Sequence, residues 1–115
     1  MAGIVGVPGL SDYCASKFGA VAIDETVRLE LQSKGLGFIK TTCICPYFIS
    51  TGMFKGAKSA FPMYILTPDE VADRILAAIR QEEPQVLIPW RGNIVLLVRL
   101  LPIWVQDLIG KILGL

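Results

Sequence analysis

The chain is 115 residues long, 53% hydrophobic and 18% charged, with a mean hydropathy of +0.57; that length allows one domain at most, and that composition excludes a disordered chain. Eleven basic against ten acidic residues, a formal charge of +1, supply no field for gripping a phosphate backbone, so nucleic acid is not an expected partner. Three cysteines without paired spacing and no histidine exclude a disulfide framework, argue against a structural metal and fit a reducing compartment.

Pro8, Gly9, Ser11 and Asp12 form a turn-like approach to a helix predicted over 13–32, a stretch rich in Ala, Val, Leu and Glu with no proline. Ser11 or Asp12 is expected to cap its start, and Gly35 and Gly37 to end it. Residues 38–45 are β-branched and mostly apolar up to Pro46, which predicts a buried strand. Residues 46–63 mix glycine, proline and aromatics in no period, the pattern of a functional or mobile loop. Thr67-Pro68-Asp69-Glu70 is a helix start with threonine at the N-cap, proline at the first helical position and glutamate completing a capping box. Val71, Ile75, Ala78 and Ile79 mark its apolar stripe as far as Gln81. A short second strand is predicted over 85–88, ended by Pro89, and a third is possible over 4–7.

The last part, 93–115, reads as two helical pieces broken near Pro102. In the second, Gln106, Asp107, Gly110, Lys111 and Gly114 take one side and Leu, Ile and Trp the other. Such a segment suits either a membrane interface with Trp104 near the headgroups or a helix packed on a core or second subunit. No run of 18 apolar residues occurs, since Arg99 and Pro102 cut the longest candidate, 94–105, and residues 1–7 lack the basic leader of a signal peptide. Alternating helix and strand imply parallel pairing and an α/β architecture. Two or three apolar strands are too few for the doubly covered sheet that parallel strands need, so the chain reads as the C-terminal half of a larger domain.

Tyr13 and Lys17 stand four apart, on one face of the first helix and one turn from each other. A phenol with an ordinary pKa near 10 must drop roughly three units to exchange protons at neutral pH, about 4 kcal/mol. A unit charge about 4 Å away at an effective dielectric near 20 supplies about that much. The spacing alone is a weak signal, because tyrosine and lysine fall four apart by chance. Its company is stronger: the pair follows a Gly-Val-Pro-Gly-Leu turn, and an apolar strand ending in Cys45-Pro46 comes about thirty residues later.

In these residues the chain resembles the short-chain dehydrogenase/reductase family, whose active-site helix carries Tyr-x-x-x-Lys and whose next strand ends in a proline-led loop. Asp12-Tyr13-Cys14-Ala15-Ser16-Lys17-Phe18-Gly19, then Ile39-Lys40-Thr41-Thr42, then the run from Cys45-Pro46-Tyr47 through Ser50-Thr51-Gly52-Met53-Phe54 are similar to the membrane-associated retinol dehydrogenases, the epidermal type included. The resemblance covers residues 1–90 well and the tail, 91–115, only in character. It implies the C-terminal half of a Rossmann-type doubly wound parallel sheet followed by an amphipathic helical tail. It further implies NAD or NADP as cofactor and a lipophilic alcohol or aldehyde such as retinol or retinal as substrate. The site would be at the cytosolic face of the endoplasmic reticulum or a lipid droplet.

By that resemblance Tyr13 is the general acid/base and Lys17 lowers its pKa and binds the nicotinamide ribose. Pro46, Tyr47, Ile49 and Thr51 line the nicotinamide side, Thr51 facing the carboxamide, while Phe54, Phe61, Met63 and Tyr64 wall an apolar substrate site. The read of Pro46–Thr51 from residues alone is a strand exit and turn. Two departures stand out. No Gly-x-x-x-Gly-x-Gly phosphate turn precedes Tyr13, and the family's substrate-orienting serine, thirteen residues before the tyrosine, would fall just ahead of Met1. The expectation is therefore an incomplete, inactive segment of an enzyme that begins internally. The alternative is a non-catalytic protein that forms a homodimer or pairs with the full-length enzyme through the Tyr-Lys helix. Cys43 and Cys45 are expected to be small buried hydrophobes of the strand, with Cys14 likewise structural.

Overall fold

The computed structural model describes residues 2–50 and 64–113. The first helix, α1, spans Ser11–Ser33, within two residues of the prediction at its start and one at its end. Its start differs in kind: Leu10 is the N-cap and no side chain caps it, so neither Ser11 nor Asp12 takes that role. Both lie inside the first turn, because the Pro8-Gly9 turn, closed by Leu10 N–H donating to Val7 O at 3.1 Å, delivers the chain into the helix one residue earlier. Gly9 has φ +79° in that turn, a conformation open to glycine at no steric cost. The helix ends as a Schellman motif: Leu36 N–H donates to Leu31 O at 2.8 Å and Gly35 N–H to Gln32 O at 3.1 Å, with Gly35 at φ +72°.

Strand β1 is Cys43–Pro46, shorter than expected. Phe38 and Ile39 are exposed and belong to the turn after α1; their apolar, bulky character favoured a strand locally, but no neighbouring strand reaches them. Helix α2 spans Pro68–Arg80 and carries the predicted capping box. Glu70 N–H donates to Thr67 Oγ1 at 3.3 Å, and Glu70 Oε2 accepts from Thr67 N at 2.8 Å and Thr67 Oγ1 at 2.7 Å. Along its stripe Val71 and Ala78 are buried, Ile75 is half-buried against them, and Ile79 is exposed. The inward arc is one residue narrower than the sequence suggests. Strand β2, Gln85–Ile88, matches the prediction, and Pro89 follows it through a cis peptide.

β1 and β2 pair in parallel in the register Cys43↔Gln85 to Pro46↔Ile88, so β1–α2–β2 is the crossover unit that the helix–strand alternation implies. This is a partial Rossmann-like α/β fold. Residues 4–7 form no strand; they make a turn that presses Ile4 into the core. Yet both faces of the two-stranded sheet are covered. Val86 and Ile88 meet Leu66, Val71 and Ala78 on the α2 side, whereas Cys45 and Leu87 meet Ile4, Val21 and Val95 on the other. A two-stranded parallel sheet is what a part of a larger doubly wound domain would hold, as the sequence leads one to expect. A 3-10 turn, Trp90–Asn93, leads to α3, Ile94–Val98, and α4, Ile103–Leu113, with the break at Pro102 where it is expected.

Candidate active site

Tyr13 and Lys17 lie in the first two turns of α1, and the helix spacing brings them together: Lys17 Nζ sits over the Tyr13 ring, 5.3 Å from its centroid. Tyr13 is half-buried and Lys17 exposed. This is a cation–π arrangement, with the ammonium against the ring face. Ser16 Oγ donates to Tyr13 O at 2.7 Å, folding a short polar side chain back onto the helix that carries the tyrosine.

The start of α1 is fixed to the residues before it by contacts that the motif does not contain. Val7 N–H donates to Cys14 Sγ at 3.3 Å, and Cys14 Sγ donates in turn to Val5 O at 4.0 Å. One turn on, Gly3 lies so close to the helix that a Cβ there would stand 2.7 Å from Lys17 O and 2.9 Å from Val21 Cγ2. Ile4, the next residue, is buried with Cys45 and Leu87. The helix bearing Tyr13 and Lys17 is thus tied to β1 through Gly3, Ile4 and Val21. Gly3 was not singled out by sequence reasoning, and Cys14 was read only as a small hydrophobe. Cys14 and Val21, seven residues apart on one side of the helix, are the available signal for this packed face.

Pro46 ends β1, and Tyr47 continues its direction, its N–H donating to Ile88 O at 2.8 Å. The Tyr47 and Phe48 rings are tilted at 59° with centroids 4.8 Å apart. Tyr47 and Ile49 are half-buried against the Leu66–Val86 core. Beyond them Ile49 forms a parallel bridge with Leu66, with Ser50 N–H donating to Leu66 O at 2.9 Å and Leu66 N–H to Phe48 O at 2.8 Å. Residues 48–50 and Leu66 are therefore joined beside the carboxyl ends of the strands, where open parallel sheets bind their ligands. Tyr64, at the far end, is exposed. Thr51, Phe54, Phe61 and Met63 lie outside the described residues.

The donor set can be set against a nicotinamide dinucleotide. A phenol and an ammonium on one helix face suit ribose hydroxyls and an alcohol oxygen, and Pro46, Tyr47 and Ile49 stand at the sheet end where such a ring docks. The pyrophosphate half has no Gly-x-x-x-Gly-x-Gly turn in these 115 residues.

The thiols serve packing. All three cysteines are free; Cys43 and Cys45 have sulfurs 3.9 Å apart. Burial first, then the neighbouring Cys45, pushes the Cys43 thiol up to about 11. Cys45 is buried as expected, whereas Cys43 is only half-buried, being the first residue of its strand. Among the described residues no group of three or more His, Cys, Asp or Glu could hold a metal.

Comparison with known proteins points to one family. The family model described as short chain dehydrogenase matches residues 1–61, which include the Tyr13–Lys17 helix and β1. Mouse (Mus musculus) epidermal retinol dehydrogenase 2 is 44% identical over 98% of this chain and 38% of its own length. Bovine (Bos taurus) short-chain dehydrogenase/reductase family 16C member 6 is 42% identical over 85% of this chain and 32% of its own. Human (Homo sapiens) estradiol 17-beta-dehydrogenase 11 is 40% identical over 76% of this chain and 29% of its own. The chain thus spans about a third of the length of these relatives. With the Tyr13–Lys17 pair at the head of α1 and its helix tied to a parallel strand, the chain belongs to the short-chain dehydrogenase/reductase family, on its retinol dehydrogenase-like branch.

Proposed function

We propose that these residues form the proton-exchange and nicotinamide-side part of an oxidoreductase that interconverts a lipophilic alcohol and its aldehyde or ketone, retinol and retinal being the model pair. The observation that carries this is the Tyr13–Lys17 pair at 5.3 Å on a helix braced against the sheet. In the oxidation direction Tyr13 Oη takes the hydroxyl proton of the alcohol. The phenolate accepts that proton and the phenol donates it. In reduction the same oxygen returns it. A bound NAD or NADP supplies the other half of the chemistry, gaining or losing a hydride at the carbinol carbon. Lys17 would also hydrogen-bond the ribose of that cofactor, and Pro46, Tyr47, Ile49 and Thr51 would flank its nicotinamide. Phe54, Phe61, Met63 and Tyr64 offer the apolar wall for a polyene or steroid-like chain, a size compatible with the names of the relatives.

Hydride transfer needs a pyrophosphate-binding turn in addition to the residues of this chain, so turnover is expected of a full-length enzyme and not of these 115 residues by themselves. Such a substrate partitions into lipid, which supports reading the working enzyme at a membrane surface, the cytosolic face of the endoplasmic reticulum or a lipid droplet by the family resemblance. The test is Tyr13→Phe in a full-length enzyme containing this segment. Turnover should be abolished while cofactor affinity is kept; retained turnover overturns the assignment. A second reading, a non-catalytic partner that pairs with the full-length enzyme or with itself, is favoured by the exposed Ile23, Val27 and Leu29 on α1. Co-purification of the two chains, lost on Ile23→Asp, is its signature.

A further inference from the structure

Cys43 and Cys45 are two apart on β1, so their side chains leave the same face of the strand, and both pack on the side of the sheet held by Ile4, Leu87 and Val95. Packing asks only that they be small and apolar. The two sulfurs in addition face each other at 3.9 Å. Gln85, the register partner of Cys43 on β2, turns its side-chain amide to the pair, Nε2 standing 4.0 Å from Cys45 Sγ. Cys45 is buried, whereas Cys43, the first residue of the strand, is half-buried. The face thus carries a dithiol with one buried sulfur, one reachable sulfur and an amide donor beside it.

A disulfide is the first chemistry to consider, and the strand opposes it. Neighbours on one face of a strand are about 6.6 Å apart, whereas a disulfide holds its Cβ atoms about 3.8 Å apart and its sulfurs about 2.05 Å. Closing it would pull β1 out of its ladder with β2. A bridging cation asks for much less movement. With metal–sulfur bonds of about 2.3 Å, sulfurs 3.9 Å apart close at an S–metal–S angle of roughly 115°. The donor set then selects the ion. A structural zinc takes four ligands, but the chain has no histidine, and among the described residues no group of three His, Cys, Asp or Glu would begin such a set. Calcium and magnesium require oxygen ligands. Copper(I) is soft, prefers thiolates and is satisfied by two or three donors. Any ion must displace both thiol protons, and burial holds the one on Cys43 firmly, which again favours the cation with the greatest preference for sulfur.

We propose that Cys43 and Cys45 form a binding site for copper(I), separate from the oxidoreductase chemistry. Two thiols and one Cu⁺ give a bis-thiolate complex of net charge −1 and two protons released to solvent. Two S–H bonds break, two Cu–S bonds form, and no oxidation state changes. The Gln85 amide donates to the Cys45 sulfur as it gains charge, in the way outer partners support metal ligands.

The experiment titrates the reduced 115-residue chain anaerobically with copper(I), in competition with the chromophoric chelator bathocuproine disulfonate. The expected result is one copper per chain, with thiolate-to-copper charge-transfer absorption in the ultraviolet and no change in the size of the chain by gel filtration. Cys43→Ser should lower the affinity at least about a hundredfold, because the second thiolate acts as an intramolecular ligand. Cys45→Ala should do the same, and Cys14→Ala should leave the affinity unchanged. Far-ultraviolet circular dichroism verifies the fold of each variant; if the buried Cys45 position does not tolerate alanine, Cys43→Ser at the half-buried position decides alone. Failure of the chain to take copper from the chelator overturns the proposal, as does an affinity that Cys43→Ser leaves unchanged. One copper per two chains with a doubled size would assign the ion to thiols of two copies and also overturn it. So would equal affinity after unfolding in urea, since a flexible Cys-x-Cys would then bind as well as the pair held on β1.

Discussion

Gly3→Ala should damage the brace behind the Tyr13–Lys17 helix more than any exposed substitution. The added Cβ would stand 2.7 Å from Lys17 O, 3.0 Å from Lys17 C and 2.9 Å from Val21 Cγ2. Two of those atoms are helix backbone, already engaged in the α1 hydrogen-bond ladder, so the strain cannot be relieved by rotating a side chain. The residues 2–5 segment has to lift instead. Lifting it withdraws Ile4 from its contact with Cys45 and Leu87, so an overpacking cost adds to a loss of burial, about 1–3 kcal/mol together. For a domain of this size that lowers the melting midpoint by roughly 5–20 °C. Gly6→Ala is the internal control, because a Cβ there meets nothing within 4 Å; it should leave stability unchanged within about 0.5 kcal/mol. Thermal and urea unfolding followed by circular dichroism would measure both. Equal midpoints for the two variants would mean that the segment does not approach α1 closely, and the argument that it braces the catalytic helix would fall with it.

Thr67→Ala removes the hydroxyl that accepts from Glu70 N–H and donates to Glu70 Oε2, leaving the backbone Thr67 N–H to Glu70 Oε2 bond, and should cost about 1 kcal/mol in urea unfolding, whereas Thr67→Ser should keep most of it. Arg74 grips Glu83 through two hydrogen bonds of 2.7 and 2.8 Å, and the guanidinium holds the Glu83 carboxyl below its usual range. A depressed carboxyl adds stability above its unfolded pKa and loses it as pH falls through the folded one, so wild type should lose more stability than Arg74→Gln on acidification below the ordinary glutamate range. Parallel pH-melting curves for the two would refute this. Cys43, with its thiol pushed up to about 11, should alkylate with iodoacetamide at pH 8 far more slowly than free cysteine, as followed by peptide mass mapping; free-thiol rates would contradict its burial.

Much of the local structure was legible because it rests on short-range chemistry. Thr67, Pro68 and Glu70 specify a helix start through groups within four residues of one another, and the observed cap has those partners. Gly35 marks the end of α1 because only a residue at ease with positive φ lets Leu36 reach back to Leu31. The Tyr13–Lys17 proximity follows from the helical repeat alone. Where sequence reasoning failed, the deciding contact lay far along the chain. Phe38 and Ile39 have strand-forming side chains, but β1 begins only at Cys43, where β2 supplies a partner. Ile4 and its neighbours look like a strand by composition and are instead a turn whose one buried side chain fills the space between α1 and the sheet.

Taken by itself, the amino-acid order determined the helices, the end of α1, the capping box of α2 and the spacing of the acid/base pair, because each depends on groups about a turn apart, and the alternation of helix and strand implied the parallel crossover. It did not determine which face of each element would be covered. That Gly3 must be glycine, that Cys14 receives a backbone N–H and that Ile4 packs with Cys45, Leu87 and Val95 are properties of residues seven to about ninety positions apart. Only tertiary packing brings those residues together, since steric fit between distant segments leaves no period in the sequence.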